Sequence, residues 1–208
     1  MRALSFAVAV ALTLAPHAGA QNPQSLTVTQ AVANVQAVYA NVSTYNAAFT
    51  QNYIIGAMHT TVTSAGTVTF ARPSNMNWAY TQPPGNRVIV NGQRVSVYQA
   101  ATNQTVVMNQ AQVPAAFSFL TGQAQLTSTF NFTMPATLAF PGGYVLVGTP
   151  ITPMPGVNTV LFYVDGQTSQ VRRVIVLDGQ RNQNAFTFAN VTTTNVAASN
   201  ASASASHP

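Results

Sequence analysis

Residues 66 to 83 read GTVTFARPSNMNWAYTQP, two short runs separated by Arg72-Pro73-Ser74-Asn75. Before the break, Val68 and Phe70 alternate with Thr67, Thr69 and Ala71. After it, Met76, Trp78 and Tyr80 alternate with Asn75, Asn77 and Ala79. A period of two marks strands with one apolar and one polar face. Pro73 has no N–H to give to a ladder and biases Arg72 away from helix, so the break is a hairpin turn. The hairpin carries Phe70, Met76, Trp78 and Tyr80 on one face and a lone arginine near its tip.

On the N-terminal side, Ser64-Ala65-Gly66 reads as the turn into this hairpin. From Thr44 to His59 the period is again two, with Tyr45, Ala47, Phe49, Tyr53, Ile55 and Ala57 on one face and Gln51 interrupting. So long a strand suggests a strongly curved sheet or a barrel wall. Earlier still, Val28, Ala31, Val32, Val35, Val38 and Tyr39 recur at helical spacing, with Ser25 as N-cap, which predicts an amphipathic helix of about four turns. Taken alone, that helix caps the core.

On the C-terminal side, Pro83 to Asn86 turns into a strand at Val88 to Val90. Asn91-Gly92 is a two-residue hairpin signal, Val95 to Tyr98 returns from it, and Gln104 to Met108 adds another strand, giving an antiparallel meander. Pro114 to Gly122 breaks the β rhythm, with Pro at the start and Gly past the end of one short helix. Taken alone, it packs between two halves of a sheet. Strands resume at Phe130 to Met134 and, after Pro141-Gly142-Gly143, at Tyr144 to Val147. Val157 to Asp165 and Val171 to Leu177 are the arms of a hairpin closing at Asp165-Gly166. Asp178-Gly179 turns again, and Phe186 and Phe188 alternate in a last strand.

Composition narrows the class. The chain opens with Met1-Arg2, an apolar run from Ala3 to Ala15 and an Ala-x-Ala end, so residues 1–20 read as a cleavable signal peptide and the protein as one that leaves the cytosol. Gln21 then begins a 188-residue chain without cysteine, long enough for one domain with a real core. Charged residues are only 4% of the chain, with no Lys and no Glu. The six remaining Arg are scattered, which excludes the clustered basic face of a nucleic-acid binder. Solubility rests on Thr, Asn, Gln and Ser. Residues 196–208 are Ala-Ser-Asn low complexity, read as a disordered tail.

No catalytic constellation is present. Asp165 and Asp178 each precede Gly in a turn, where Asp is structural, and His59 and His207 form no metal set or triad. The reading is therefore not an enzyme, with no metal and no cofactor. What stands out is bulk: Phe49, Tyr53, Phe70, Met76, Trp78, Tyr98, Met108, Phe117, Phe119, Leu120, Phe130, Phe132, Phe162, Phe186 and Phe188 all fall in elements. A sheet curled around them is either filled by its own side chains or leaves a cavity.

The order of these signals resembles the LolA family of periplasmic lipoprotein carriers. The resemblance is carried by the apolar strand, the Arg72-Pro73 turn and the aromatic strand closing at Gln82-Pro83. It is carried also by the Pro114-led short helix and by the C-terminal series of Val164-Asp165, a Thr-bearing turn, the Arg172-Arg173 strand, the Asp178-Gly179 turn and Phe186-x-Phe188-x-Asn190-Val191. It spans about Ser25 to Asn195. The family is usually rich in Lys and Glu, where this chain has Thr, Asn, Gln and Ala.

The resemblance implies a mainly β fold with some α: a single antiparallel sheet curled into an open, incomplete β-barrel covered by short helices, in residues 21–195. It implies an acyl-chain cavity lined by Phe49, Phe70, Met76, Trp78, Tyr98, Met108, Phe117, Phe119, Leu120 and Phe162. Arg72 matches the family's turn arginine and takes the role of a lid latch; the reading from residues alone is a solvated turn cation. The implied function is that of a soluble, monomeric periplasmic chaperone. It would carry lipoproteins, acyl chains shielded, from an inner-membrane ABC-type exporter to an outer-membrane receptor. The alternatives are a lipid- or lipoprotein-sensing module of the same half-barrel type and a structural secreted β-protein with a filled core.

Overall fold

A computed structural model describes residues 26–92, 94–109 and 125–196. The expected signal peptide, Ser25, the Pro114–Gly122 helix with Phe117, Phe119 and Leu120, and the chain from 197 onward lie outside the described residues.

The chain begins with helix α1, Val28–Ala40. Its N-cap is Thr27, not Ser25. The Thr27 hydroxyl accepts from the Gln30 N–H at 3.2 Å while the Gln30 side chain accepts from the Thr27 N–H at 3.0 Å, a reciprocal capping box. Ala31, Val32, Val35 and Tyr39 form its buried stripe.

The first six strands form a meander: β1 Val42–Ile55, β2 Thr60–Ala71, β3 Asn75–Gln82, β4 Pro84–Asn91, β5 Arg94–Gln99 and β6 Gln104–Asn109. A one-turn helix α2, Leu126–Thr129, which no sequence pattern announces, leads into the second meander. That comprises β7 Phe130–Thr133, β8 Gly143–Pro150, β9 Thr159–Asp165, β10 Val171–Leu177 and β11 Gln183–Asn195. All pairings are antiparallel, and the last strand returns to the first, giving one sheet in the order β6-β5-β4-β3-β2-β1-β11-β10-β9-β8-β7. Strands β6 and β7 are its two edges, so the barrel is open, as expected. Past β11 the Val196 N–H still donates to the Asn41 carbonyl at 3.0 Å, so order extends to the first residue of the expected tail.

Three local expectations are corrected. Strand β1 stops at Ile55 rather than His59. Residues 56–59 are the β1–β2 turn, with Met58 N–H donating to the Ile55 carbonyl and His59 at φ 50°. Ser64-Ala65-Gly66 is therefore not a turn but mid-strand, paired with Gln51, Thr50 and Phe49. Gly66 is glycine because a Cβ there would collide with the Ala79 carbonyl and come within 2.9 Å of the Phe49 ring. Asn91 pairs with Arg94, so the hairpin loop lies one residue later than Asn91-Gly92.

One continuous core joins the stripe of α1 to the concave face of the sheet, from Phe70 and Trp78 on one side to Leu146 and Phe162 on the other. Bulges aim side chains into it. The register shift at Val42/Thr44 lets Val42 and Tyr45, three residues apart, both be buried, and the shift at Val171/Arg173 does the same for Val171 and Val174. On the convex face the β7–β8 connection folds back, bringing Phe140 edge-on to Tyr163 at 5.6 Å and forming, with Val145, a shallow apolar groove of about 460 Å³.

Candidate acyl-chain site

The concave faces of β11, β1, β2 and β3 bring together a wall of rings. Phe49 meets Trp78 at 4.8 Å, Tyr80 at 5.1 Å and Phe186 at 6.3 Å. Trp78 reaches Phe186 at 5.2 Å and Phe70 at 6.1 Å, and Tyr45 joins Phe70 to Phe188 at 5.5 and 6.2 Å. Most are edge-on, the arrangement that the ring quadrupole favours. Across the concavity Phe130, Phe132 and Phe162 form a second group with centroids 5.8–6.0 Å apart.

Of the expected lining residues, Phe49, Phe70, Met76, Trp78 and Phe162 are all 1–5% exposed in this shared core. Met108 is half-buried at its margin. Tyr98 does not join them. Val95 and Val97 of β5 take the concave side, so alternation sends Tyr98 to the convex face, opposite Arg87 and Thr105, where its hydroxyl donates to Asn103 at 3.2 Å. Tyr39, Tyr45, Phe186 and Phe188 also belong to the interior, beyond the expected lining set. The alternation of β1 and β11 carries the signal for the last three.

At one end of the wall the interior turns polar. Tyr80 donates to the Gln51 side-chain oxygen at 3.0 Å, and Gln51 donates to Asn184 at 2.9 Å. This is why Gln51 interrupts the apolar alternation of β1. A part-buried amide on an apolar face is tolerable because its hydrogen bonds are made.

At the other end stands Arg72, and it is not a solvated cation. Its Nε donates to the Val42 carbonyl at 2.6 Å, and its Nη2 to the carbonyls of Tyr39, at 3.0 Å, and of Ala40. Helix α1 has no basic residue in its last turn, and the β2–β3 turn supplies one from outside. A guanidinium there meets the negative end of the helix dipole and satisfies carbonyls the helix leaves open. The helix is tied at two further points. The Tyr39 hydroxyl accepts from the Val171 N–H at 3.0 Å, and the Gln36 side chain accepts from the Leu126 N–H at 2.8 Å.

Ionisable chemistry is sparse. Burial pushes the Tyr39 phenol up to about 12 and the Tyr45 phenol higher still. Asp165 is held down to about 2 by the Thr168 N–H and hydroxyl and, further, by the Gln167 N–H and Arg172. These are turn and ion-pair contacts: Arg172 lies 3.3 Å from its carboxylate. Among the described residues no group of three or more His, Cys, Asp or Glu side chains is placed to hold a metal.

The family model described as outer membrane lipoprotein carrier protein LolA matches residues 40–201. An outer-membrane lipoprotein carrier protein of Francisella tularensis subsp. novicida (strain U112) is 23% identical over 106 residues, 51% of this chain and 52% of the relative. The chain thus spans about half the length of the curated relatives it matches. Among solved structures, an uncharacterised conserved protein from Thermus thermophilus is 14% identical with a TM-score of 0.50, covering 86% of this chain and 93% of that one. A LolA superfamily protein from Nitrosomonas europaea is 10% identical with a TM-score of 0.45, over 83% and 96%. At such identities the likeness is one of fold.

Proposed function

The chain belongs to the LolA family of outer-membrane lipoprotein carriers, and from that membership we propose that it is a periplasmic lipoprotein chaperone rather than an enzyme. In this reading residues 1–20 export it, residues 21–195 form the carrier domain, and the tail from 196 takes no part. The acyl chains of a lipoprotein lie against the concave ring wall beneath α1. The cargo comes from an inner-membrane ABC-type exporter and is passed to an outer-membrane receptor.

The observation that carries this reading is the roof. A helix whose buried stripe is only Ala31, Val32, Val35 and Tyr39 packs against the β7–β8 side of the shared core and reaches the ring wall through Tyr39, 6.3 Å from Tyr45, and its C-terminal end is tied down by a side chain from a turn. A cover with so modest an apolar stripe can be lifted at lower cost than a helix of Leu and Phe. An acyl chain, by contrast, gains about 0.8 kcal/mol per buried CH₂, enough to displace it.

A filled-core secreted protein is the second reading, favoured by the 1–5% exposure of Phe49, Phe70, Met76 and Trp78. Trp78, the single tryptophan of the chain, separates the two. Titrating the folded protein with a dipalmitoylglyceryl-cysteine peptide should change its emission saturably, and mass spectrometry should find diacyl lipoproteins co-purifying from the periplasm. Emission fixed at every lipopeptide concentration, with nothing apolar co-purifying, would favour the filled core.

A further inference from the structure

Among the described residues the Tyr45 hydroxyl and Arg173 Nε are buried side-chain polar atoms without a hydrogen-bond partner, whereas the Tyr144 hydroxyl has the Ser169 side chain beside it. Tyr144 and Arg173 belong to half-exposed residues, whereas Tyr45 is 1% exposed. Native interiors leave few such groups, and each calls for an explanation. Phenylalanine would fill the same space without stranding a polar atom.

The surroundings of Tyr45 are specific. It lies on the concave face of β1, between Phe70 of β2 and Thr193 of β11 in register. Its ring packs within 5.5 Å of Phe70, 6.2 Å of Phe188 and 6.3 Å of Tyr39. It therefore sits under the latched end of α1. The neighbouring Tyr39 hydroxyl is already engaged with the Val171 N–H. At the far end of the wall, Tyr80, Gln51 and Asn184 satisfy one another. Within the ring wall, the Tyr45 hydroxyl is the buried polar atom that the described residues leave without a partner.

The geometry points to the Tyr45 hydroxyl as the donor that receives an ester carbonyl of the lipid anchor once acyl chains lie beneath α1. This assignment rests on the carrier reading and adds to it a polar contact that registers the chains by their ester linkage. The chemistry of the site selects a neutral acceptor. A phenol buried among rings offers one O–H, and bringing an ionised headgroup there would cost far more than an ester carbonyl. An O–H that has no protein partner to give up on binding retains most of the new bond as net affinity.

The test uses the folded chain and its Tyr45→Phe variant with a matched pair of probes. One is the dipalmitoylglyceryl-cysteine peptide, with two ester carbonyls; the other is its dihexadecyl-ether counterpart, with the same chains and none. The wild type should bind the diester about 5- to 10-fold more tightly than the diether, and Tyr45→Phe should erase that preference, its diester and diether affinities becoming equal. The empty Tyr45→Phe protein should melt at the wild-type temperature or above it, because no existing bond is lost.

A melting temperature lowered by more than about 3 °C would show a hydroxyl already engaged, and would overturn the assignment. Equal losses for diester and diether, or none for either, would do the same while leaving the carrier reading intact. If the wild type bound neither lipopeptide, the carrier reading and this assignment would fall together. A diester phospholipid run alongside distinguishes the source of the carbonyl. A parallel loss on it assigns the contact to glycerol esters generally, and a loss on it alone would overturn the role in lipoprotein recognition.

Discussion

Replacing Arg72 with leucine removes every side-chain bond that ties the β2–β3 turn to α1. Three carbonyls lose the guanidinium: Val42 and Tyr39 in part-buried positions and Ala40 at the surface, the Tyr39 carbonyl keeping the Asn41 N–H. Hydrogen bonds to a charged group contribute about 1.5–3 kcal/mol and a cation at a helix C-terminus about 0.3–1. Discounting the solvent-facing contact, the total is about 2–3 kcal/mol. For a domain of this size that lowers the melting temperature by roughly 5–10 °C. If the loss is local to the helix, it multiplies the population with α1 detached roughly 30- to 150-fold. Hydrogen exchange of the α1 amides, followed peptide by peptide, measures it directly. Protection should fall in residues 28–40 and at Val171, whose N–H donates to Tyr39, and stay unchanged in β4 and β9. Arg72→Lys should recover less than half, because an ammonium lacks the planar fork that spans several acceptors. In a transfer assay from loaded carrier to receptor, Arg72→Leu should load at least as well as the wild type and stall at hand-off, since closure no longer helps expel the lipid. Unchanged exchange in α1 together with normal transfer would refute the latch.

Gly66→Val should destabilise the chain by roughly 3 kcal/mol or more, since its side chain meets both the Ala79 carbonyl and the Phe49 ring, and denaturant unfolding will read it. The acid limb of the stability profile should be confined to a narrow window. Asp165 is depressed to about 2, so its contribution is fully present above about pH 4 and is lost as pH falls toward 2, which a series of thermal melts checks. The alkaline limb has the opposite origin. Tyr39 is raised to about 12 and Tyr45 further, so their contribution is complete below about pH 10, that of Tyr39 being lost as pH rises through 12 and that of Tyr45 only beyond it; absorbance of tyrosinate should appear with unfolding, not before it.

The strand pattern is legible because period-two alternation survives the loss of almost all charge. Val68 and Phe70 against Met76 and Trp78 define the central hairpin, and the structure pairs Val68 with Trp78 and Phe70 with Met76. Where the local pattern misleads, a second constraint has replaced it. Gly66 looks like a turn because glycine usually marks one, yet here it is demanded by a ring on the neighbouring strand. The true turn at residues 56–59 is hidden because the alternation of β1 runs on to Ala57 without a break. Bulk alone places Tyr98 inside, against the alternation of Val95 and Val97, and alternation prevails. The ties of α1 are beyond reach for a different reason. Tyr39 meets Val171 across 132 residues and Gln36 meets Leu126 across 90, and no local pattern announces a contact of that separation.

A carrier has to release what it binds, and the composition of its roof bears on that. A single palmitoyl chain moving from water into an apolar site gains on the order of 10 kcal/mol, and two chains approach the ceiling of non-covalent affinity. Bound to a rigid, preformed cavity, such a cargo would not leave. Here the concavity is not lined by exposed apolar surface, because Phe49, Phe70, Trp78 and Phe162 are each no more than 5% exposed. On the proposed carrier reading, loading would exchange ring-on-ring contacts for ring-on-chain contacts, so only their difference, together with the cost of lifting α1, would set the affinity. Each tie on α1 would then subtract from binding and add to release. Stronger ties would close the protein to cargo, and weaker ones would leave it unable to let go. A helix with Ala and Val where Leu would bury more, held by a single arginine where several would hold it harder, would on that reading lie between the two failures.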